Sequence, residues 1–273
     1  MVVEYPLKMK VAVSGKGGTG KTTFSALLGE IYSRKGKRVI LVDADPDANL
    51  ARTLGIEKEI PPLIELKELI RERTGAEPGS SGSFFTLNPR VEDIPDRFFH
   101  HRGNILLGVM GSVRGGGKGC TCPENAFLKS LLQHLTFERE DILIMDMEAG
   151  VEHLGRGTAQ GMDWLLVLVE PGRKSLDTAE KILSLGKDLG IKKLGVVGNK
   201  IKDKAEEELL KNSFPSLWLG FLPWREEIIS ADLKGIPPWE EFPSLLEWGE
   251  KIIEKLEVVN EEKESARCHL RAG

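Results

Sequence analysis

Seven short runs of apolar residues punctuate the chain: KVAVS (10–14), RVILVD (38–43), NILLGVMG (104–111), DILIMD (141–146), WLLVLVE (164–170), LGVVGNK (194–200) and LWLGFLP (217–223). Runs of this length, rich in Val, Ile and Leu, read as parallel strands buried on both faces. Between them, apolar residues recur at helical spacing over 22–36, 125–138, 175–190, 203–213, 225–233 and 242–257. Strand alternating with helix predicts the α/β class, a doubly wound and mostly parallel sheet with helices on both faces. Residues 60–100 break the rhythm with Gly, Ser and Pro, and are expected to form an inserted, moving loop with one hairpin. Residues 1–258 are expected to form one domain. The stretch from 259 to 273 shows no apolar periodicity and is expected to be a frayed, flexible tail.

Composition narrows the function classes. The 273 residues are 40% hydrophobic and 29% charged with a net charge of −4, so no global basic field exists to hold nucleic acid or acidic lipid. No stretch reaches the roughly 20 apolar residues that a membrane-spanning helix needs. The opening MVVEYPLKMKVAVSGKGG lacks a basic segment followed by a long apolar run, so a cytoplasmic location is expected, with no nucleic-acid or membrane partner. Three cysteines are too few for a disulfide scaffold, and paired thiols in a reducing cytosol point to metal or redox work.

The first strand runs into GKGGTGKTT, Gly15 to Thr23, a glycine followed after four residues by Gly-Lys-Thr at the head of a helix. This is a polyphosphate loop in its required context, making the chain a P-loop NTPase. Gly17, Gly18, Thr19 and Gly20 supply backbone that wraps the anion, with the helix N-terminus facing it. Lys21 is placed to reach the β and γ phosphates, Thr22 to bind Mg²⁺ through its hydroxyl, and Thr23 to touch the α phosphate. Asp146 closes the run ILIMD, where a carboxylate holds Mg²⁺ through water opposite the loop. Asp45, in VDADPDANL, sits past a strand's C-terminal end, where such sheets bind ligands; Asp43 and Asp47 are expected only to solvate the loop.

A second lysine, Lys16, follows the first glycine, and here the chain resembles the deviant Walker A (MinD-like) ATPases, which include division-site and partition ATPases and nitrogenase iron protein. The resemblance implies ATP hydrolysis, with Lys16 reaching across a dimer to the partner's phosphates and Asp45 orienting the attacking water. It also implies that Gly150, in the switch DMEAGVEHLGRGTA, offers its N–H to the γ phosphate, with His153 packing that switch. Asn199 contacts the base by the same resemblance. Guanine readers carry Asn-Lys-x-Asp, whereas position 202 is Lys and Asp203 comes one place late, so adenine is favoured, with Pro223 of FLPWREE near it.

Cys120 and Cys122 flank Thr121 in GGGKGCTCPENAFLKSLL, just before a helix that starts at Pro123. The helix dipole favours a thiolate at Cys122, and a disulfide across one residue would be strained. Two thiolates do not complete a four-ligand zinc or nickel site, and a two-fold dimer would supply the other two. A pair of inert or oxidised thiols is the alternative, and Cys268-His269 is expected to be a solvated pair. The Cys-x-Cys together with the Glu-His-x-Gly-Arg-Gly switch resembles the CooC-type accessory ATPases of carbon monoxide dehydrogenase maturation, over nearly all of the chain up to about residue 257. That family implies ATP and Mg²⁺ as ligands, Ni²⁺ or Zn²⁺ at the cysteine pair, a homodimer, and the catalytic subunit of carbon monoxide dehydrogenase as client for nickel insertion. An iron–sulfur cluster carrier of the same class and a metal-independent partition-type switch are the competing readings.

Overall fold

A computed structural model describes residues 8–79, 84–111, 122–139, 141–148 and 156–271. Eight strands form one sheet: β1 (Lys10–Gly15), β2 (Val39–Asp43), β3 (His100–Arg102), β4 (Ile105–Val109), β5 (Ile142–Asp146), β6 (Trp164–Val169), β7 (Lys193–Ile201) and β8 (Trp218–Pro223). Their order is β3-β4-β2-β5-β1-β6-β7-β8. Every neighbouring pair is parallel except β3 and β4, a hairpin whose His101 faces Leu106. All seven expected strands are present. The described helices are α1 (Lys21–Arg34), α2 (Leu50–Thr53), α3 (Lys67–Thr74), α4 (Ile94–Phe98), α5 (Pro123–Gln133), α6 (Arg156–Gly161), α7 (Arg173–Asp188), α8 (Lys204–Ser213), α9 (Glu226–Lys234), α10 (Pro238–Glu241) and α11 (Leu245–Arg271).

Alternation along each strand divides its side chains between two cores. Ile40, Val42, Leu165 and Val167 join Ile70 of α3, Phe127 and Leu131 of α5 and Ile182 of α7 on one face. Val39, Leu41, Leu166 and Leu168 join Leu27 and Ile31 of α1 and Ile252 and Leu256 of α11 on the other. Both faces are therefore covered, which explains why the strands read as unbroken apolar runs.

One expectation needs correction. Residues 60–100 are not an irregular loop. They contain a 3₁₀ turn at Leu63–Glu65, helices α3 and α4 and strand β3, and they bury Leu63, Leu69, Ile70, Val91, Ile94 and Phe99. Helices of eight and five residues are too short to display periodicity and form because α3 packs on α5 and α4 on β4. The last helix, α11, is assigned as far as Arg271. The segment EEKESARCHLR is made largely of strong helix formers, so propensity extends the helix without an apolar stripe. No described helix is long and apolar enough to cross a membrane.

Candidate functional site

Central parallel strands β1, β2, β5 and β7 deliver their C-terminal ends to one edge of the sheet, and most of the expected site residues lie there. The phosphate loop fills the turn from β1 into α1. Thr19 closes it on itself, donating from N (3.2 Å) and Oγ1 (2.8 Å) to the Lys16 carbonyl. Two residues of β7 grip it from behind: Asn199 Nδ2 donates to the Thr19 carbonyl at 2.6 Å, and Lys200 Nζ to the Gly18 carbonyl at 2.6 Å. With the Thr19 carbonyl held back, the planar trans peptide turns the Gly20 N–H to the opposite side, toward the anion's place. Gly20 sits at φ 88°, and a Cβ there would fall 2.3 Å from Asn199 Nδ2, so only glycine fits. The first intrahelical bond is Phe24 N to the Gly20 carbonyl, so the N–H groups of Lys21, Thr22 and Thr23 belong to the turn that faces a ligand. Lys21 is buried within this cradle, and Gly17 and Gly18 lie exposed at its rim.

Asp146 is fully buried at the end of β5. Its Oδ1 accepts from Ser25 Oγ at 3.1 Å and its carboxyl also accepts from Thr22, while Oδ2 has no partner among the described residues. Burial pushes this carboxyl up to about 6, against the opposing pull of the Thr22 and Ser25 hydrogen bonds and the Lys21 charge. An orphaned, buried carboxylate oxygen beside a threonine hydroxyl fits a Mg²⁺ ion approached through water.

Asp43, expected only to solvate its loop, is wholly buried and stands opposite Asp146 in the strand register. Its Oδ1 accepts from Asp45 N at 3.2 Å and its Oδ2 from Leu50 N at 2.9 Å, so one side chain fixes the entire loop 44–50. Burial pushes its carboxyl up to about 7. Asp47 is exposed, as expected of a solvating residue. Asp45 is half-buried, its Oδ1 accepts from Asp47 N at 3.1 Å, and its charge reaches Asp146.

Lys16 lies over the loop with Nζ 3.8 Å from Glu170 Oε1, and Lys200 Nζ is 3.2 Å from Glu170 Oε2. Glu170, directly after β6, was not among the expected site residues, although its run WLLVLVE ends in a carboxylate as ILIMD does. In Asn199, one amide N–H is committed to Thr19 and Oδ1 accepts from Lys200 N at 2.9 Å, which leaves the second N–H for a base acceptor. Pro223 is buried and pairs with Ile201, two residues from Asn199.

Cys122 is buried at the N-cap of α5, with Pro123 in the first turn. Cys120, Gly150 and His153 lie outside the described residues, as does the whole segment 112–121. The segment leaves the sheet close to the nucleotide end: Met110 N donates to the Asp43 carbonyl at 2.9 Å. The described residues contain no group of three or more metal-ligating side chains. At the opposite edge a cavity of about 620 Å³, lined by Trp164, Lys192, Trp218 and Lys255, holds none of the expected residues.

Residues 10–239 match the family model described as CobQ/CobB/MinD/ParA nucleotide binding domain. An uncharacterized ATP-binding protein of Methanocaldococcus jannaschii is 44% identical over 232 residues, covering 84% of this chain and 90% of its own. The carbon monoxide dehydrogenase accessory protein CooC of Rhodospirillum rubrum is 41% identical over 241 residues, covering 86% of this chain and 91% of its own. Among solved structures, the septum site-determining protein MinD of Pyrococcus horikoshii with Mg-ADP aligns at TM-score 0.62 and 20% identity, over 92% of this chain and 96% of its own.

Proposed function

The chain belongs to the CobQ/CobB/MinD/ParA nucleotide-binding family, and from that premise we propose that it is an ATP-hydrolysing, metal-bridged homodimeric maturation factor that promotes nickel insertion into the metal cluster of carbon monoxide dehydrogenase. The near full-length likeness to a CooC protein supports the client. The observation that carries the coupling is the Met110–Asp43 hydrogen bond, because it ties the loop that holds Asp45 to the start of the segment bearing Cys120.

In this reading Lys21 and the N–H groups of Gly20 to Thr23 hold the β and γ phosphates. Thr22 and Asp146 hold Mg²⁺, which when bound neutralises charge between the phosphate oxygens. Asp45, fixed by Asp43, orients the attacking water; positioning of this kind supplies most of the catalysis in phosphoryl transfer. Lys16 exchanges Glu170 for the partner's phosphates, a modest cost because the pair is 3.8 Å apart and part-exposed. Gly150 reports the γ phosphate, and Asn199 and Pro223 flank adenine. Cys120 and Cys122 of two chains supply four thiolates to the nickel or zinc cargo.

Oligomeric mass with and without ATP and Ni²⁺ or Zn²⁺ tests this reading, with wild-type and Cys120→Ala/Cys122→Ala proteins purified anaerobically. Dimers that appear with metal in the wild type and not in the double variant are expected. Mass insensitive to metal, or equal dimerisation of the variant, rejects the bridge. Co-purifying iron and sulfide would favour the cluster carrier.

A further inference from the structure

Glu170 follows β6 directly, and its N–H donates to the buried Ser175 Oγ at 3.1 Å. Its side chain, 25% exposed, divides its two oxygens between two lysines: Lys16 Nζ stands 3.8 Å from Oε1 and Lys200 Nζ 3.2 Å from Oε2. Lys200 reaches this place by an uncommon backbone. It takes φ 59°, and the β7–β8 register shifts between Gly198 and Ile201. Left-handed backbone is strained outside glycine, and irregularities in a sheet re-aim side chains beside functional sites. Here the side chain lies back over the phosphate loop, where Nζ also donates to the Gly18 carbonyl at 2.6 Å.

The two lysines are therefore not equivalent. Lys200 is the nearer and is anchored a second time at Gly18, whereas Lys16 Nζ has no second partner among the described residues. If Lys16 leaves, Lys200 keeps the Glu170 carboxylate paired. A part-buried carboxylate stripped of every cation is penalised, and one that retains a cation is spared most of that cost. We infer that Lys200 is the positioning residue that keeps Lys16 releasable: by holding Glu170 in a second ion pair it loosens the grip of Glu170 on Lys16, and so favours the ATP-bound dimer. This inference rests on the reading in which Lys16 reaches the partner's phosphates.

The test measures the dimerisation constant of the full chain by sedimentation, at saturating non-hydrolysable ATP analogue and again in ADP, with Mg²⁺ and Ni²⁺ present throughout. The ratio of the two constants isolates the share that the nucleotide contributes. Part-exposed ion pairs shift an equilibrium by up to about 5-fold. Lys200→Met removes the second cation and is expected to lower the ratio by about 5-fold; Glu170→Gln removes the charge that holds Lys16 and is expected to raise it by about as much. The double variant is expected to match Glu170→Gln, because without that charge nothing retains Lys16. A wild-type ratio in either single variant, or a double variant as low as Lys200→Met, overturns the inference and leaves Lys200 as a clamp on the loop alone. In that case, loss of the ratio in Lys16→Ala shows that the dimer reading still stands. A ratio of one in the wild type, or a wild-type ratio in Lys16→Ala, overturns both.

Discussion

At Gly20 two constraints coincide, a left-handed φ of 88° and an Asn199 amide 2.3 Å from any added Cβ. Gly20→Ala is therefore expected to push Asn199 off the Thr19 carbonyl and weaken ATP binding by at least about 10-fold, a loss that isothermal titration would register. The loop itself was legible because glycine spacing, lysine and threonine stand together in nine residues. Its support was not, since Asn199 and Thr19 are 180 positions apart and only the fold joins them. Asp43 and Glu170 went unread although VILVD and WLLVLVE end in carboxylates as ILIMD does. A strand ending in a carboxylate shows that the group reaches the ligand edge; what it grips there depends on neighbouring strands. The raised carboxyls of Asp43 and Asp146 also set a pH dependence. Both bind protons more readily folded than unfolded, from the ordinary value of 3.8 up to about 7 and about 6. Their contribution is thus fully present below about pH 4 and declines as pH rises through that window. Lys10, lowered to about 8, acts only above it. Nucleotide-free protein should melt several degrees lower at pH 7.5 than at pH 5, and Asp43→Asn should flatten that slope. Scanning fluorimetry showing no slope would contradict the assignment.

Among the elements, the strands were the readable part and the 60–100 insertion the unreadable one, for the same physical reason. A strand buried on both faces must be apolar at every position, whereas α3 and α4 need only a few apolar residues to dock, and charged ones surround them. The docking is nonetheless firm. Ile70 is fully buried with Phe127 of α5 in one core, and Asp96 of α4 pairs with Arg38 and Arg139. Ile70→Ala should cost about 2–5 kcal/mol by urea denaturation, the range for a truncated core aliphatic. A loss below about 0.5 kcal/mol would mean that α3 is not part of the cooperative core.

On the scale of the whole molecule, the sheet brings the phosphate loop and the root of the cysteine-bearing segment to one edge. The phosphate loop lies at the end of β1 and Asp43 at the end of β2, and the backbone of Asp43 accepts a hydrogen bond from Met110 just before the cysteine segment. In the proposed function, a movement of loop 44–50 on γ-phosphate loss would reach the root of that segment through this bond. Equilibrium linkage makes such coupling reciprocal: the factor by which ATP alters Ni²⁺ affinity must equal the factor by which Ni²⁺ alters ATP affinity. With a non-hydrolysable ATP analogue, the two titrations should agree on a factor between about 5 and 150, the usual span of coupling energies. Asp43→Asn, which loosens the loop without touching the phosphate cradle, should bring that factor toward one. A factor of one in the wild type would mean that nucleotide and metal act independently, and the Met110–Asp43 bond would then be no more than part of the strand pairing.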